Sequence, residues 1–183
     1  MKHALATIIF ALFCSVAVTP LFAASFKQTP KSAELKLAYG VNEIKAGTIS
    51  LRVVRAEVAT LSASDFDTYT VFLASQTADE PWMHVTAPES KGIGFSLRDY
   101  ETADANTQAT AFYRDNGRLY AVQAIKVGPV ANASGPLETL FDFKVYAFNG
   151  NAEVPMFAHE GTMRAKRRFV DGREALVKDF FKP

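Results

Sequence analysis

The sequence predicts an all-β protein, an antiparallel β-sandwich finished by a short C-terminal helix, with a small β-barrel as the alternative closure. Two aromatic-rich runs meet at Asn116-Gly117, and both of these residues take positive φ at little cost, as the tightest hairpins require. Apolar and polar side chains alternate with period two in short segments separated by clusters of Pro, Gly, Ser, Asn and Asp, the punctuation of a sandwich or small barrel. Helical periodicity occurs only after Asp171.

The chain opens with Met1-Lys2-His3, stays largely apolar from Ala4 to Val18 and leaves through Thr19-Pro20-Leu21-Phe22-Ala23-Ala24. A charged start, an apolar middle and a small-residue exit predict a secretory signal peptide over 1–23 and a single β-rich domain over 24–183. The apolar run is shorter than the ~20 residues a spanning helix needs, and Pro20 interrupts its end, so no transmembrane anchor is expected in the mature chain. Cys14, the one cysteine, leaves with this segment, and so does Lys2, which takes the formal charge from +1 to 0. A thiol-free, neutral domain is expected outside the cytoplasm, with no electrostatic attraction for nucleic acid.

Along the mature chain, 34–39 and 48–59 read as strands, with 40–43 as their connection and Gly47 as a break. In the second segment Ile49, Leu51 and Val53 share one face, while Arg52, Val54 and Ala56 share the other. Further strands are predicted at 68–75, 82–86 and 92–97. The hairpin spans 110–123. Segment 140–148 alternates strictly, with Phe141, Phe143, Val145 and Ala147 on one face, and predicts a strand with one wet side. A last strand is read at 154–163. Asp171, with Glu174 three residues on, resembles a capping box for a helix that lies over one sheet end and buries Leu176 and Phe180.

Catalytic spacing is missing. The two histidines of the mature chain, His84 and His159, form neither H-x-H nor H-E-x-x-H, so neither a metal nor a cofactor is expected. There is no G-x-S-x-G and no S-x-x-K, which argues against acyl-serine hydrolysis. Asp65-Phe66-Asp67 sets two carboxylates on one side of an extended segment, a pair suited to a cation or to acid–base work, although aspartate is common in such loops for turn reasons. Gly92-Ile93-Gly94 lacks the strand-to-helix context of a phosphate loop, and Asn132-Ala133-Ser134 is a bare glycosylation sequon. The basic run 164–168 suits a solvated edge or turn.

Recognition chemistry is better represented. Trp82, Tyr113 and Tyr120 offer aromatic surface with polar tips, and Arg114 and Arg118 can hold a carboxylate beside them, so a ligand or partner site is expected around the hairpin. Cross-strand packing explains the same aromatics without any ligand.

Phe112-Tyr113-Arg114-Asp115-Asn116-Gly117-Arg118-Leu119-Tyr120-Ala121-Val122-Gln123-Ala124-Ile125-Lys126, then Phe143-Lys144-Val145-Tyr146, Val154-Pro155-Met156-Phe157 and the terminal 171–176 segment resemble the CarG-like periplasmic proteins of carbapenem intrinsic resistance. The resemblance runs from about Val41 to the C terminus. It implies a Gram-negative periplasmic protein that protects its host from a β-lactam without hydrolysing it, and it carries over no catalytic residue. The expectation is thus a non-enzymatic periplasmic or secreted protein that binds a small molecule or a cell-envelope protein. The alternative is a structural or interaction module that presents a sheet face or edge to another envelope protein, and a hydrolase using Asp65 and Asp67 comes third.

Overall fold

A computed structural model describes residues 33–59, 61, 65–75, 77, 79–87, 97–102, 105–132 and 134–182. The expected signal peptide, the 92–96 part of one predicted strand, the Gly92-Ile93-Gly94 run and Ala133 of the sequon lie outside them. Two antiparallel sheets form the fold. The first contains β1 (Gly40–Ala46), β2 (Ile49–Val58) and β3 (Phe66–Leu73), with β4 (Met83–His84) and β5 (Leu97–Arg98) sharing the far edge of β3. The second contains β6 (Tyr100–Glu101), β7 (Asn106–Asp115), β8 (Arg118–Val127), β11 (Leu140–Asn149) and β12 (Met156–Arg164), in the order β12-β11-β8-β7-β6. Between β8 and β11, β9 (Ala131–Asn132) and β10 (Gly135–Pro136) make a small ribbon. The chain passes between sheets at Asp99, between β5 and β6. The sheets stay separate, so the sandwich forms and the barrel does not.

The hairpin falls where its turn chemistry places it. Asn116 and Gly117 have φ of 48° and 78°, and β7 pairs with β8 from Gln108↔Ile125 to Asp115↔Arg118. The 34–39 strand does not form as expected, because only Glu34 makes a bridge, to Tyr113. The predicted connection at 40–43 is instead the start of β1. Asn42 explains the shift: its side chain accepts from Ala38 N–H at 2.9 Å and donates to Ala38 O at 2.8 Å, a local bond that turns the chain before the strand begins.

Between the sheets, Ile44, Leu51, Val53, Tyr69 and Val71 meet Phe112, Leu119, Ala121, Tyr146, Phe148 and Phe157. A second core lies on the outer face of the second sheet, where Tyr113, Tyr120, Val122, Phe141, Phe143 and Val145 pack under Ala175, Leu176 and Phe180. The expected wet side of 140–148 holds at Leu140, Asp142 and Lys144, which are part-exposed, and fails at Tyr146 and Phe148, which face the first sheet, while Phe141 and Phe143 face the C-terminal segment.

That segment is α1 (Gly172–Ala175), which runs directly into a π-helical turn (Leu176–Phe180). Asp171 caps it by accepting from Arg173 N–H at 2.7 Å and Glu174 N–H at 3.0 Å. Its other oxygen accepts from Asn106 N–H at 3.1 Å and ties the cap to β7. A Cβ on Gly172 would stand 3.2 Å from the Ala109 nitrogen and from the Phe141 ring, so the helix starts flush on the sheet. Leu176 and Phe180 are buried as expected, but the helix covers the face of the second sheet and not its end.

Candidate functional site

The alternation that buries Leu51 and Val53 on β2 carries Arg55 to the same inner face, and β3 sets Tyr69 opposite it and Asp67 diagonally, opposite Glu57. At this end of the sandwich the apolar filling gives way to paired charges. Arg55 binds Asp67 Oδ2 through Nη2 at 2.6 Å and Nε at 3.0 Å, and donates from Nη1 to Leu37 O at 2.8 Å. Arg173 of α1 grips both carboxylate oxygens of Glu34 at 2.6 Å. A cavity of about 230 Å³ lies among these groups, lined also by Tyr69, Asp99, Thr110 and Phe112.

Asp99 is the least compensated charge there. Its Oδ1 accepts from Thr110 N–H at 2.6 Å, and its own N–H donates to Asp67 O at 2.8 Å. Burial pushes its carboxyl up to about 7; Asp67 pushes the same way, while the Thr110 bonds and Arg173 oppose them. Burial also raises the Tyr69 hydroxyl, with Asp99 adding to it. Asp99 can thus exchange a proton near neutrality. The described residues hold no group of three His, Cys, Asp or Glu able to bind a metal.

Of the five residues expected to form a binding face, Tyr113, Tyr120 and Arg118 lie together, while Arg114 and Trp82 stand apart from them. Tyr113 and Tyr120 stack with centroids 4.9 Å apart and planes 11° from parallel, and both are buried. Phe180 and Phe181 meet Tyr113 edge-on at 5.5 and 5.9 Å. The Tyr113 hydroxyl finds no hydrogen-bond partner among the described residues. Arg118 is exposed, lies 5.3 Å from the Tyr120 ring centre and pairs with Glu160 at 2.6 Å. Arg114 borders a different groove, beside Leu35, Leu37 and Ile44. Trp82 belongs to the first sheet, edge-on to Phe72 at 5.7 Å, with the Arg52 guanidinium 4.3 Å from its ring centre. The reason is geometric: the aromatic face of the hairpin is the one the C-terminal helix covers.

Sequence reading missed Arg55, Asp99, Arg173 and Glu34. For Arg55 the signal was present, since it follows Leu51 and Val53 in the same period-two series. Asp67 was noticed as a partner of Asp65, whereas its bonds go to Arg55. Within the basic run, Arg164 pairs with Asp142 across β11 and β12, while Arg167 donates to Lys178 O and Lys166 N–H donates to the buried Asp179 at 2.6 Å, which fastens the helical segment.

No protein-family model and no curated protein matches the sequence. The crystal structure of CarG does match in three dimensions, with a TM-score of 0.65 over 80% of this chain and 94% of CarG, at 18% identity. This chain has the fold of CarG. At that identity the CarG likeness carries architecture and transfers no site residue.

Proposed function

We propose that this is a non-enzymatic protein of the bacterial periplasm that protects its host from a β-lactam without hydrolysing it, and that it does so by touching a cell-envelope protein. The observation that carries this reading is the CarG fold, reached independently of the hairpin and strand resemblance. The N-terminal pattern supports export.

A surface route is favoured over capture of the drug in an enclosed site. The inner cavity is smaller than the ~300–1,000 Å³ usual for small-molecule sites, and its arginines are already held by Asp67 and Glu34; the larger hollows, about 710 Å³ beside Ile49 and Leu73 and about 400 Å³ beside Leu37 and Ile44, are grooves more open to the surface. The hairpin aromatics serve the core. The test is carbapenem sensitivity of cells with the gene, without it and with it restored, beside a hydrolysis assay on the purified protein. Greater sensitivity on deletion with no turnover supports the reading. Unchanged sensitivity, or measurable β-lactam cleavage, overturns it.

A further inference from the structure

Among the described residues, β1 is an open edge of unusual regularity for this molecule. Its seven residues contain no proline, and its pairing with β2 runs unbroken from Gly40↔Arg55 to Ala46↔Ile49. The other edges are blunted. β4, β5 and β6 have two residues each, and the β11–β12 register shifts at Val145/Tyr146, with Thr86 O already taking the Phe157 N–H at 2.8 Å.

Hydrogen-bond phase decides which backbone groups face outward. Ala46 and Ile49 flank the two-residue turn at Gly47-Thr48, so they form a bonded pair, and Ile44 and Asn42 follow in the same phase. The far side of β2 agrees, because Ala74 N–H donates to Ser50 O, which turns Ser50 toward β3 and leaves Leu51 for Ile44. Val41, Glu43 and Lys45 therefore direct their amides and carbonyls away from β2, and no backbone group among the described residues meets them there.

We propose that this edge pairs with β1 of a second copy of the chain, antiparallel and centred on Ile44, so that Glu43 of each copy faces Lys45 of the other. Antiparallel pairing about Ile44 matches outward-facing residues with outward-facing residues, and each Glu43–Lys45 pair exchanges two backbone bonds. Both side chains are exposed on the outer face, while Ile44 points inward and is buried. Charge selects this register. Moving one hydrogen-bonding step either way sets Glu43 against Glu43 or Lys45 against Lys45, and opposed like charges destabilise a sheet. Lys45 blunts the edge against an uncharged foreign strand, yet against its own copy it meets a carboxylate. In the pair, Glu43 sits between Arg52 of its own chain, now 3.3 Å away, and Lys45 of the partner subunit, and two first sheets join into one.

This inference does not depend on the protective function above. The test is analytical ultracentrifugation, which needs no activity: mass in solution of the chain without residues 1–23 over a concentration series, for wild type, Lys45→Glu, Glu43→Lys and the double exchange, each checked by circular dichroism for an intact fold. The expected result is a dimer whose dissociation constant rises on the order of tenfold or more in each single variant, from two opposed like-charge pairs, and recovers in the double exchange. A wild-type chain that stays monomeric at every concentration overturns the proposal. So does a dimer that both single variants leave unchanged.

Discussion

The two sheets of this molecule are built from similar alternating strands and live in different surroundings. The second sheet is walled on both faces, by the first sheet inside and by the C-terminal helix outside, and Tyr113, Tyr120, Phe141, Phe143 and Phe180 fill its outer core. Among the described residues the first sheet is walled on one face. Its outer side carries Glu43, Lys45, Arg52 and the part-exposed Trp82, and no described strand pairs with its β1 edge. Stability is thus concentrated around the second sheet, and freedom to meet a partner around the first.

The largest effect is expected where the second sheet is sealed. Phe180→Ala removes a ring that is 1% exposed and touches both Tyr113 and Phe143, and should cost about 3–5 kcal/mol in denaturant unfolding. A cost below ~1 kcal/mol would show that the helix is not a structural wall. Next comes Asp171→Ala, which removes the acceptor for Arg173, Glu174 and Asn106. A loss of about 1–2 kcal/mol is expected, with faster amide exchange in the helix than in β8.

Asp99 tests the seam between the sheets. Its folded value of about 7 lies above the ordinary 3.8, so the folded state holds the proton more tightly than the unfolded one. Its burial costs nothing below both values; as pH rises through them the unfolded state ionises first and stability falls, reaching the full penalty above about 7. Asp99→Asn should therefore match wild type in melting temperature near pH ~4 and exceed it by a few degrees near pH ~8. Equal melting curves across that range would remove Asp99 as a part-buried charge that costs stability. The smallest effect is expected on the open sheet: Trp82→Ala should cost no more than about 1 kcal/mol, since the ring rests on Phe72 and Arg52 at the surface. If it cost as much as Phe180→Ala, the contrast between the sheets would fail.

Much of the fold was legible because its signals are local. Asn116-Gly117 dictates the hairpin, and the alternation in 49–53 and 141–147 dictates strands whose faces appear as read. Asp171 announces the helix start through its own side chain. The errors came where a short-range bond competed with the pattern, as Asn42 does with Ala38, or where the covering element lies far away in the chain. The candidate site was much less legible. Arg55 could be placed by extending a period-two series, but Asp99, Arg173 and Glu34 come from separate segments, and nothing in any one of them names the others.

By itself the sequence determined strands, turns and the helix cap, since those follow from backbone preference and side-chain periodicity over a few residues. Only the tertiary structure decided that the helix lies on the outer face of the second sheet, turning Tyr113 and Tyr120 from candidate contacts into core. A strand's alternation says that one face is apolar, and burial is decided by whichever distant surface can fill it.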